Sequence, residues 1–469
     1  MTDLAFTDAA ELVELYRRRA ASPVDAVEAC LERIDAVDGV LNAYVTVDRE
    51  GALEAARRAA DAPVAGPLHG VPVGIKDLTE TAGMRTTYGS RIFADHVPEA
   101  DALVVERVKA AGAIILGKTN TPEFGAGANT FNEVFGETRN PWDPALTCGG
   151  SSGGSAVALA TGMSPLCEGS DLGGSLRTPA SFCGVIGFRT TPGLVPIWPS
   201  GTPWDSLAVV GPMSRTVRDC GLLLSVMAGA DDRAPLSYDV DTAAFATAAV
   251  TPDVAGRRVA FTPDLGGLLP VDPEIAAICE VAARTLEGLG ARVEHAAPDV
   301  SGLREIVRAT RGMSMVVGHE ADLREHGDLL QAGLRGNIEQ GLALTPPEIA
   351  AGERERGAYW ERMRAFMADR DLLCLPVAPI PPYPVEQRWP ATINGRPMET
   401  YIEWLYLAYA ITVTGLPVLA LPVGFTAAGL PVGMQIVGRR RREVDVLQAA
   451  AALERELALD LRPPRSYDA

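Results

Sequence analysis

Two hydrophobic periodicities alternate along most of the chain. In the first sixty residues apolar side chains recur at helical spacing, as in "VDAVEACLERIDAV", and Ser22 followed by Pro23 is typical of a helix start. We therefore predict three helices within residues 1–60. Further along, helical patterns alternate with short apolar runs rich in β-branched residues, which predict strands. These runs are "VPVGIKD" (71–77), "AIILGK" (113–118), "RRVAFTPD" (257–264), "DLLCLPV" (371–377), "PVLALPV" (417–423) and "VGMQIVG" (432–438).

This alternation of helices and strands predicts an α/β protein whose sheet is covered by helices on both faces. No repeat of fixed period is present, and no Pro/Gly/Ser linker is long enough to separate domains. We therefore expect the 469 residues to form one large domain.

The charge balance and the cysteines narrow the class of protein. The net charge is −18 and no lysine/arginine cluster suits a phosphate backbone, so no nucleic-acid partner is expected. The basic run "GRRRREVD" (438–445) is interpreted as a solvated helix start. No apolar run reaches the length of a membrane span, and the start of the chain lacks a signal-peptide pattern, so we expect a cytoplasmic protein without membrane contact. Seven scattered cysteines without a C-x-x-C pair argue against disulfides and zinc, and most of them are expected to be buried.

The least ordinary stretch is residues 149–184, which is rich in glycine and serine and contains no histidine. Its first five residues, "GGSSG", match G-x-S-x-G, the nucleophile turn of α/β-hydrolases. That motif requires a preceding strand, whereas "TRNPWDPALTC" is a turn-rich loop. None of the five histidines of the chain lies in a phrase that suggests a catalytic turn. The sequence therefore disfavours a Ser-His-Asp triad.

A second phrase in this stretch, "GSDLGGS" (169–175), offers different chemistry. Gly173 and Gly174 leave the backbone before Ser175 free to adopt unusual conformations and to approach a substrate closely. Backbone N–H groups from Leu172, Gly173 and Gly174 would then converge on one point, as stabilisation of an oxyanion requires. The alternative is a glycine-rich turn without chemistry, and this phrase alone leaves both interpretations open.

The lysines suggest a base for such a serine. Only three lysines occur among 42 basic residues, at positions 76, 109 and 118. A buried lysine can lose its charge and act as a base, whereas an arginine cannot. Lys76 lies in the apolar run "HGVPVGIKDL", whereas Lys109 fits an exposed helix and Lys118 fits a structural role. Lys76 is therefore the best candidate, although residue usage alone does not decide it.

Taken together, these phrases resemble the amidase signature family, whose members use a Ser–cis-Ser–Lys triad. The resemblance extends over most of the chain and is densest from 66 to 196. It is carried by "GPLHGVPVGIKDL", "GAIILGKTNTPEFG", "NPWDPALTCGGSSGGSAVALATG", "GSDLGGSLRTPASFCGVIGFRTTPG", "TGLPVLALPVG" and "GLPVGMQIVG". It implies the amidase signature fold, a large twisted mixed sheet covered by helices, as a single domain 1–469. We expect a helical segment at 1–62, the signature core at 63–215, and an α/β part with the substrate loops at 216–469.

The resemblance also implies roles for individual residues. Ser175 would be the nucleophile, Lys76 the base, and Ser151 the bridging serine on a cis peptide bond, with Ser152 as its non-catalytic neighbour. The oxyanion would be bound by the N–H groups of residues 172 to 175, with Leu172 standing where the family usually has threonine. This change suggests an apolar wall near the acyl group.

Further residues near these motifs are expected to support the site. Gly125 and Gly127 align with family positions that line the acyl pocket. Asp171 and Arg177 are expected to hold the nucleophile loop rather than to react. Asp77 is expected to point away from Lys76, since a carboxylate facing the amine would raise its pKa.

The function expected from the resemblance is a stand-alone amide hydrolase that needs no cofactor and no metal. Its substrate would be a small-molecule amide, apolar or aryl, with esters and carbamates (urethanes) as further possibilities, and the chain would be a monomer or a homodimer. The first alternative is the A-type glutaminase component of a tRNA-dependent amidotransferase, which shares the triad. The second alternative is an inactive amidase-like binding protein, which intact Lys76, Ser151 and Ser175 disfavour.

Overall fold

The N-terminal segment contains three helices, as predicted, in a computed structural model that describes residues 3–464 and 467 of the chain. Ser22 begins the second of these helices. The Ser22 hydroxyl accepts a hydrogen bond from the Asp25 N–H (3.2 Å), and the Asp25 carboxylate accepts one from the Ser22 N–H (2.7 Å), which is a capping box. A strand, Tyr44–Val47, lies between the second and third helices and was not predicted.

The helices and strands are distributed along the described chain from Ala9 to Leu457. The α-helices are α1 (Ala9–Arg17), α2 (Pro23–Leu41), α3 (Arg49–Asp61), α4 (Leu103–Ala110), α5 (Gly153–Ala160), α6 (Arg177–Cys183), α7 (Val217–Met227), α8 (Ala243–Ala248), α9 (Pro273–Gly288), α10 (Leu303–His326), α11 (Ala332–Leu342), α12 (Pro346–Phe366), α13 (Tyr406–Thr412) and α14 (Glu443–Leu457). The strands are β1 (Tyr44–Val47), β2 (Pro72–Lys76), β3 (Ile114–Thr119), β4 (Phe131–Asn132), β5 (Gly136–Glu137), β6 (Leu166–Asp171), β7 (Ile186–Arg189), β8 (Val209–Ser214), β9 (Arg258–Phe261), β10 (Arg292–His295), β11 (Leu372–Pro376), β12 (Thr392–Ile393), β13 (Arg396–Pro397), β14 (Val418–Phe425) and β15 (Pro431–Gly438).

Eleven of the described strands form one mixed sheet in the order β1-β3-β2-β6-β8-β7-β14-β15-β11-β9-β10. β2 runs parallel to both β3 and β6, whereas β8, β7, β14 and β15 pair antiparallel with their neighbours. All three segments expected from the sequence contribute strands to this sheet. The division into one domain with three segments stays a prediction.

Helices cover both faces of the sheet, as predicted. On β11, Leu372 and Cys374 join one buried apolar cluster, and Leu373 and Leu375 join another, because successive residues of a strand point to opposite faces. The first cluster includes residues of α4, α7, α9 and α14, and the second includes residues of α10, α12 and α13. A third cluster packs α2, α5 and α6 against the sheet. The α/β fold class is therefore confirmed.

All six predicted strands are present, but five strands of the sheet were missed. β6 and β7 contain Glu168 and Arg189, two charged residues that a buried strand rarely carries. Both side chains are fully buried and bonded to other parts of the chain, and these partners are invisible in a local pattern. β10, whose sequence is "RVEH", is a mostly exposed edge strand, so its hydrophobic alternation is weak.

Two smaller expectations, on the burial of the cysteines and on the basic run, are also confirmed. All seven cysteines are buried and unpaired. The arginines of the basic run 439–442 are exposed or half-buried and directly precede α14. Among the described helices, none combines the length and the apolar character needed to cross a membrane.

The sheet also determines where the candidate chemistry lies. β2 ends at Lys76 and its parallel neighbour β6 ends at Asp171. Because parallel strands end at the same edge of a sheet, Lys76 and the loop that carries Ser175 lie side by side.

Candidate active site

Lys76 is a fully buried lysine surrounded by serine hydroxyls. Its Nζ donates hydrogen bonds to Ser151 Oγ (2.6 Å), Ser152 Oγ (2.9 Å) and Ser170 Oγ (3.0 Å). Burial lowers the pKa of the Lys76 amine from 10.5 to about 7, although the charges of Glu168 and Asp171 act in the opposite direction. Near neutral pH this amine is therefore able to accept a proton.

The carboxylates near Lys76 are bonded to groups other than its amine. Glu168 accepts hydrogen bonds from the Lys76 backbone N–H and from the Thr79 hydroxyl, each at 3.0 Å. Asp77 accepts from the hydroxyl of Thr87 (2.6 Å) and from its backbone N–H, so it points away from Lys76 as expected. Among the described residues, the amine thus has hydroxyl groups as its only hydrogen-bond partners, which suits a base better than a salt bridge would.

The other two lysines have structural partners, in agreement with the sequence analysis. Lys109 is partly exposed and pairs with Asp101 on the surface at 2.8 Å. Lys118 is buried and donates to the Thr79 carbonyl and to the Thr81 hydroxyl (3.1 Å), so it holds the loop after β2. Burial lowers the pKa of Lys118 to about 8.

Ser151 follows a cis peptide bond, Gly150–Ser151, as the resemblance implied. The Thr130 hydroxyl donates to the Gly149 carbonyl (2.9 Å) and accepts from the Gly153 N–H (3.1 Å), which fixes the chain on both sides of Ser151. A Cβ at position 150 would lie 2.8 Å from the backbone of Asn129, so this position requires glycine. α5 begins directly after this turn and leads the chain away from the site.

The loop that carries Ser175 joins β6 to α6. Asp171 accepts hydrogen bonds from the backbone N–H groups of Gly174 (2.9 Å) and Leu176 (3.1 Å), which folds the loop back over the strand end. The Ser175 carbonyl accepts from the Ser152 N–H at 3.1 Å, so the two serine-bearing loops are bonded to each other. Ser175 itself is half-buried and lines the same cavity as Ser151.

The contact with Asp171 corrects one expectation about the oxyanion site. The Gly174 N–H is already bonded to a carboxylate, so it is not free to bind an oxyanion. Within residues 3–464, the N–H groups of Leu172, Gly173 and Ser175 have no hydrogen-bond acceptor. These three N–H groups remain the candidate donors to an oxyanion. Gly173 is tightly packed as well, since a Cβ there would lie 2.3 Å from the Tyr409 ring.

Asp171 and Arg177 hold the loop in the way that the sequence analysis predicted. Arg177 donates from Nε and Nη2 to the two carboxylate oxygens of Asp171, each at 3.0 Å, and Arg189 donates to the Asp171 carbonyl at 2.5 Å. All three side chains are fully buried. Burial alone would raise the pKa of Asp171, but the two guanidinium groups outweigh it and keep this pKa below its usual range. The carboxylate therefore stays charged.

A cavity of about 170 Å³ opens beside Ser151 and Ser175. Gly125, Gly127 and Leu172 lie on its wall, and their role in binding an acyl group stays a prediction. A Cβ on Gly125 would lie 2.8 Å from Leu78 and 3.5 Å from Ser151 Oγ, so glycine keeps this wall open. The apolar part of the remaining wall comes from Leu78, Phe124, Ala126, Ala128, Ala208, Met315, Ile402 and Leu405.

Several residues of the site were not anticipated. Ser170, the third hydroxyl on Lys76, precedes Asp171 at the end of β6, a strand that the pattern did not predict. Arg311 and Tyr401 come from α10 and from the segment before α13, and no local motif marks them. Glu168, which accepts from the Lys76 N–H, could have been noticed in the sequence. A carboxylate between cysteine and glycine in "PLCEGSD" is unusual in a buried strand.

Comparisons with known proteins identify the class to which the fold and this site belong. The sequence model of the family described as Amidase matches residues 25–447, nearly the whole chain. The chain belongs to this family, the amidase signature enzymes, and the resemblance found in the sequence is confirmed.

Individual relatives agree with this assignment. The chain is 38% identical over 466 residues to an acylamidase from Rhodococcus erythropolis, covering 96% of each chain. It is 36% identical over 493 residues to the A-type subunit of the glutamyl-tRNA(Gln) amidotransferase from Moorella thermoacetica, covering 98% of this chain and 99% of that one. The crystal structure of a bacterial aryl acylamidase of the amidase signature family superposes with a TM-score of 0.89 at 30% identity, covering 96% of both chains. These similarities support amide hydrolysis.

Proposed function

We propose that the protein is a stand-alone amidase that cleaves carboxylic-acid amides through an acyl-enzyme on Ser175. The observation that carries this proposal is the environment of Lys76, a fully buried amine whose hydrogen-bond partners are three serine hydroxyls. Such an amine is available as a base near neutral pH without a histidine or a metal ion.

The proposed proton route runs from Ser175 to Ser151 and on to Lys76. Neutral Lys76 accepts the Ser151 proton across the 2.6 Å contact, and Ser151 takes the proton of Ser175 as the latter attacks the amide carbonyl. Protonation of the leaving nitrogen then follows the reverse route, since an amine leaves poorly without a proton. Water hydrolyses the ester on Ser175 and regenerates the three groups.

The negative charge that develops on the carbonyl oxygen needs donors near Ser175. Backbone N–H groups of Leu172, Gly173 and Ser175 are proposed for this role, because they lack other acceptors in the described part of the chain. The Asp171–Arg177 pair supports them indirectly, since it fixes the loop that carries all three.

The apolar wall of the cavity, including Leu172 and Phe124, suits amides with an apolar or aryl part. Esters and carbamates have the same kind of electrophilic carbonyl and are proposed as side substrates.

We propose that the protein needs no cofactor and has no nucleic-acid partner. We also propose that it is a cytoplasmic monomer or homodimer.

The second candidate is the glutaminase component of a tRNA-dependent amidotransferase. It is favoured by the 36% identity to the Moorella thermoacetica protein over almost the whole chain. The identity to the Rhodococcus erythropolis acylamidase is 38%, so overall similarity separates the two candidates only weakly.

Amine release by the purified single chain, without ATP or tRNA, separates these two functions. The substrates are glutamine, short aliphatic amides, aryl anilides of increasing acyl length and an aryl carbamate. Turnover of anilides or carbamates with glutamine left intact is the expected result. Turnover of glutamine alone, or activity that appears only after partner subunits are added, would favour the amidotransferase component.

A further inference from the structure

Arg311, on α10, is a buried arginine without an acidic partner. Its side chain lies on the wall of the active-site cavity, and the residue is 8% exposed. Its Nη2 donates a hydrogen bond to the Tyr401 hydroxyl, and its Nε has no acceptor. None of the ion pairs formed within residues 3–464 includes Arg311, so its charge is not compensated by this part of the protein.

The other two buried arginines of the described residues are paired, and so are the other arginines of α10. Arg177 and Arg189, which are fully buried, share Asp171. On α10 itself, Arg304 pairs with Glu403 at 2.8 Å and Arg308 pairs with Glu348 at 2.9 Å. A buried charge without a counter-ion is costly, so the isolated guanidinium of Arg311 calls for a partner that is not part of the chain.

The surroundings of Arg311 offer space for such a partner. Beyond the active-site cavity lies a second cavity of about 600 Å³, between α10, α11 and the segment 400–406. Arg311, Met315, Tyr401 and Ile402 line both cavities, so the two spaces adjoin at these residues. A substrate bound at Ser175 can therefore extend to Arg311.

The charge of the second cavity is unlike that of the whole protein. Its lining contains Arg304, Arg308 and Arg311 but no aspartate or glutamate among the described residues, although the chain has a net charge of −18. Arg304 and Arg308 are paired with glutamates outside the lining, so the charge without a counter-ion in the described part of the chain is that of Arg311. In the active-site cavity the acidic residue of the lining is Asp171, which already has two arginine partners. An anionic group would thus meet no uncompensated negative charge beside Arg311.

The guanidinium is held in place from three elements of the fold. The Tyr401 hydroxyl accepts from Arg311 and donates to Asn337 Oδ1 on α11 at 3.1 Å. The Arg311 guanidinium also lies 5.6 Å from the centre of the Tyr401 ring, within the range of a cation–π contact. This support leaves Nη1 without a hydrogen-bond acceptor among the described residues, whereas Nε is enclosed by the protein. Nη1 is therefore the nitrogen that can donate to a carboxylate in the cavity.

We propose that Arg311 binds a carboxylate of the substrate, so that the preferred amides carry a free acid group at a distance from the bond that is cleaved. This inference rests on the proposed function, because it assumes that amides are cleaved at Ser175. A carboxylate is favoured over a phosphate, since one guanidinium can compensate a single negative charge but not two.

The test compares matched pairs of charged and neutral substrates. For a carboxylate on the acyl side, the pair is a 4-nitroanilide of a dicarboxylic acid, from succinic to pimelic acid, and its terminal-amide isostere. For a carboxylate on the amine side, the pair is an N-acyl 4-aminobenzoate and the N-acyl 4-aminobenzamide with the same acyl group. The readout is kcat/KM for release of the aromatic amine, and the result of interest is the ratio within each pair.

In the unaltered protein, kcat/KM for at least one acid substrate is expected to be about 10- to 100-fold higher than kcat/KM for its neutral isostere. This is the effect of a charge-assisted hydrogen bond in a buried site. Arg311→Gln should bring this ratio close to 1 through a fall in kcat/KM for the acid substrate, and Arg311→Lys should retain part of the preference. Arg324→Gln is the matched control, because Arg324 lies on the same helix, is paired with Glu320 and lines neither cavity. It should leave the ratio unchanged.

The outcomes separate this inference from the proposed function. If no aromatic amine is released from any substrate, the proposed function itself fails. If neutral anilides are cleaved but no acid substrate is preferred, or if the preference persists in Arg311→Gln, the role of Arg311 is refuted. The ratio in the unaltered protein tests the inference even if Arg311→Gln does not fold.

Discussion

The pH dependence of catalysis follows directly from the burial of Lys76. If Lys76 acts as the base, only its neutral form supports the reaction, and burial lowers its pKa to about 7. Because one pKa unit corresponds to about 1.4 kcal/mol, the fall from 10.5 means that the site disfavours the charged amine by about 5 kcal/mol. At pH 8 about nine-tenths of the amine is then neutral, compared with about 0.3% for a lysine of ordinary pKa.

The assay is kcat/KM for a neutral aryl anilide between pH 5 and pH 9.5. The rate constant should rise about tenfold per pH unit at the acidic end, pass its midpoint near pH 7 and level off above pH 8. Circular dichroism at each pH excludes unfolding as the cause. A rise that continues up to pH 9.5 without levelling off would mean that the amine is not desolvated, and would refute the reasoning.

A variant tests the sign of the electrostatics around Lys76. The charge of Glu168 raises the pKa of Lys76, so Glu168→Gln should move the midpoint of the pH profile to lower pH. Glu320→Gln, on the surface of α10, is the control and should leave the midpoint where it is. A shift to higher pH in Glu168→Gln would contradict the assignment of this charge effect.

Further predictions concern single substitutions. Ser175→Ala should lower kcat for anilides by about 10⁴-fold or more, and substantial remaining activity would refute its role as nucleophile. Lys76→Met should abolish turnover, yet it should raise the melting temperature more at pH 6 than at pH 9. Between pH 7 and 10.5 the lysine binds more protons in the unfolded state than in the folded state. The free-energy cost of burying Lys76 is therefore complete below pH 7 and shrinks as the pH rises above 7. Gly173→Ala should lower the free energy of unfolding by about 1–3 kcal/mol, since the new Cβ would overlap the Tyr409 ring, and denaturant unfolding measures this. Arg177→Met should cost about 3–5 kcal/mol in the same assay, because it removes one of the two arginine partners of buried Asp171.

Most of the sheet could be predicted from the sequence because the apolar strands carry their pattern locally. "VPVGIKD" and "VGMQIVG" are examples, and both coincide with strands to within about one residue. β6 was missed for a physical reason, since Glu168 interrupts the apolar run and its hydrogen-bond partners come from the end of β2 and from the loop that follows it. Tertiary contacts of this kind compensate a buried charge and leave no trace in a local pattern.

The candidate site divides in a similar way. Ser151 and Ser175 were proposed because they lie in glycine-rich motifs, and Lys76 because it is one of three lysines and lies in an apolar run; the resemblance to the amidase signature family then implied their roles. The residues that line the cavity could not be predicted in this way, because Arg311, Tyr401 and Met315 lie in helices and loops far along the chain. Their positions depend on how α10 packs against α11 and α12, and an amphipathic pattern does not encode which residue meets a distant cavity.

The central claim, that Ser175 forms the acyl-enzyme, is tested most directly by trapping the adduct. The protein is quenched in acid during turnover of an activated aryl ester, digested, and mapped by mass spectrometry. The account predicts one acyl group per chain on the peptide that contains Ser175, and no adduct in Ser175→Ala. An adduct on Ser151, Ser152 or Ser170 instead, or turnover without any trapped acyl group, would contradict it.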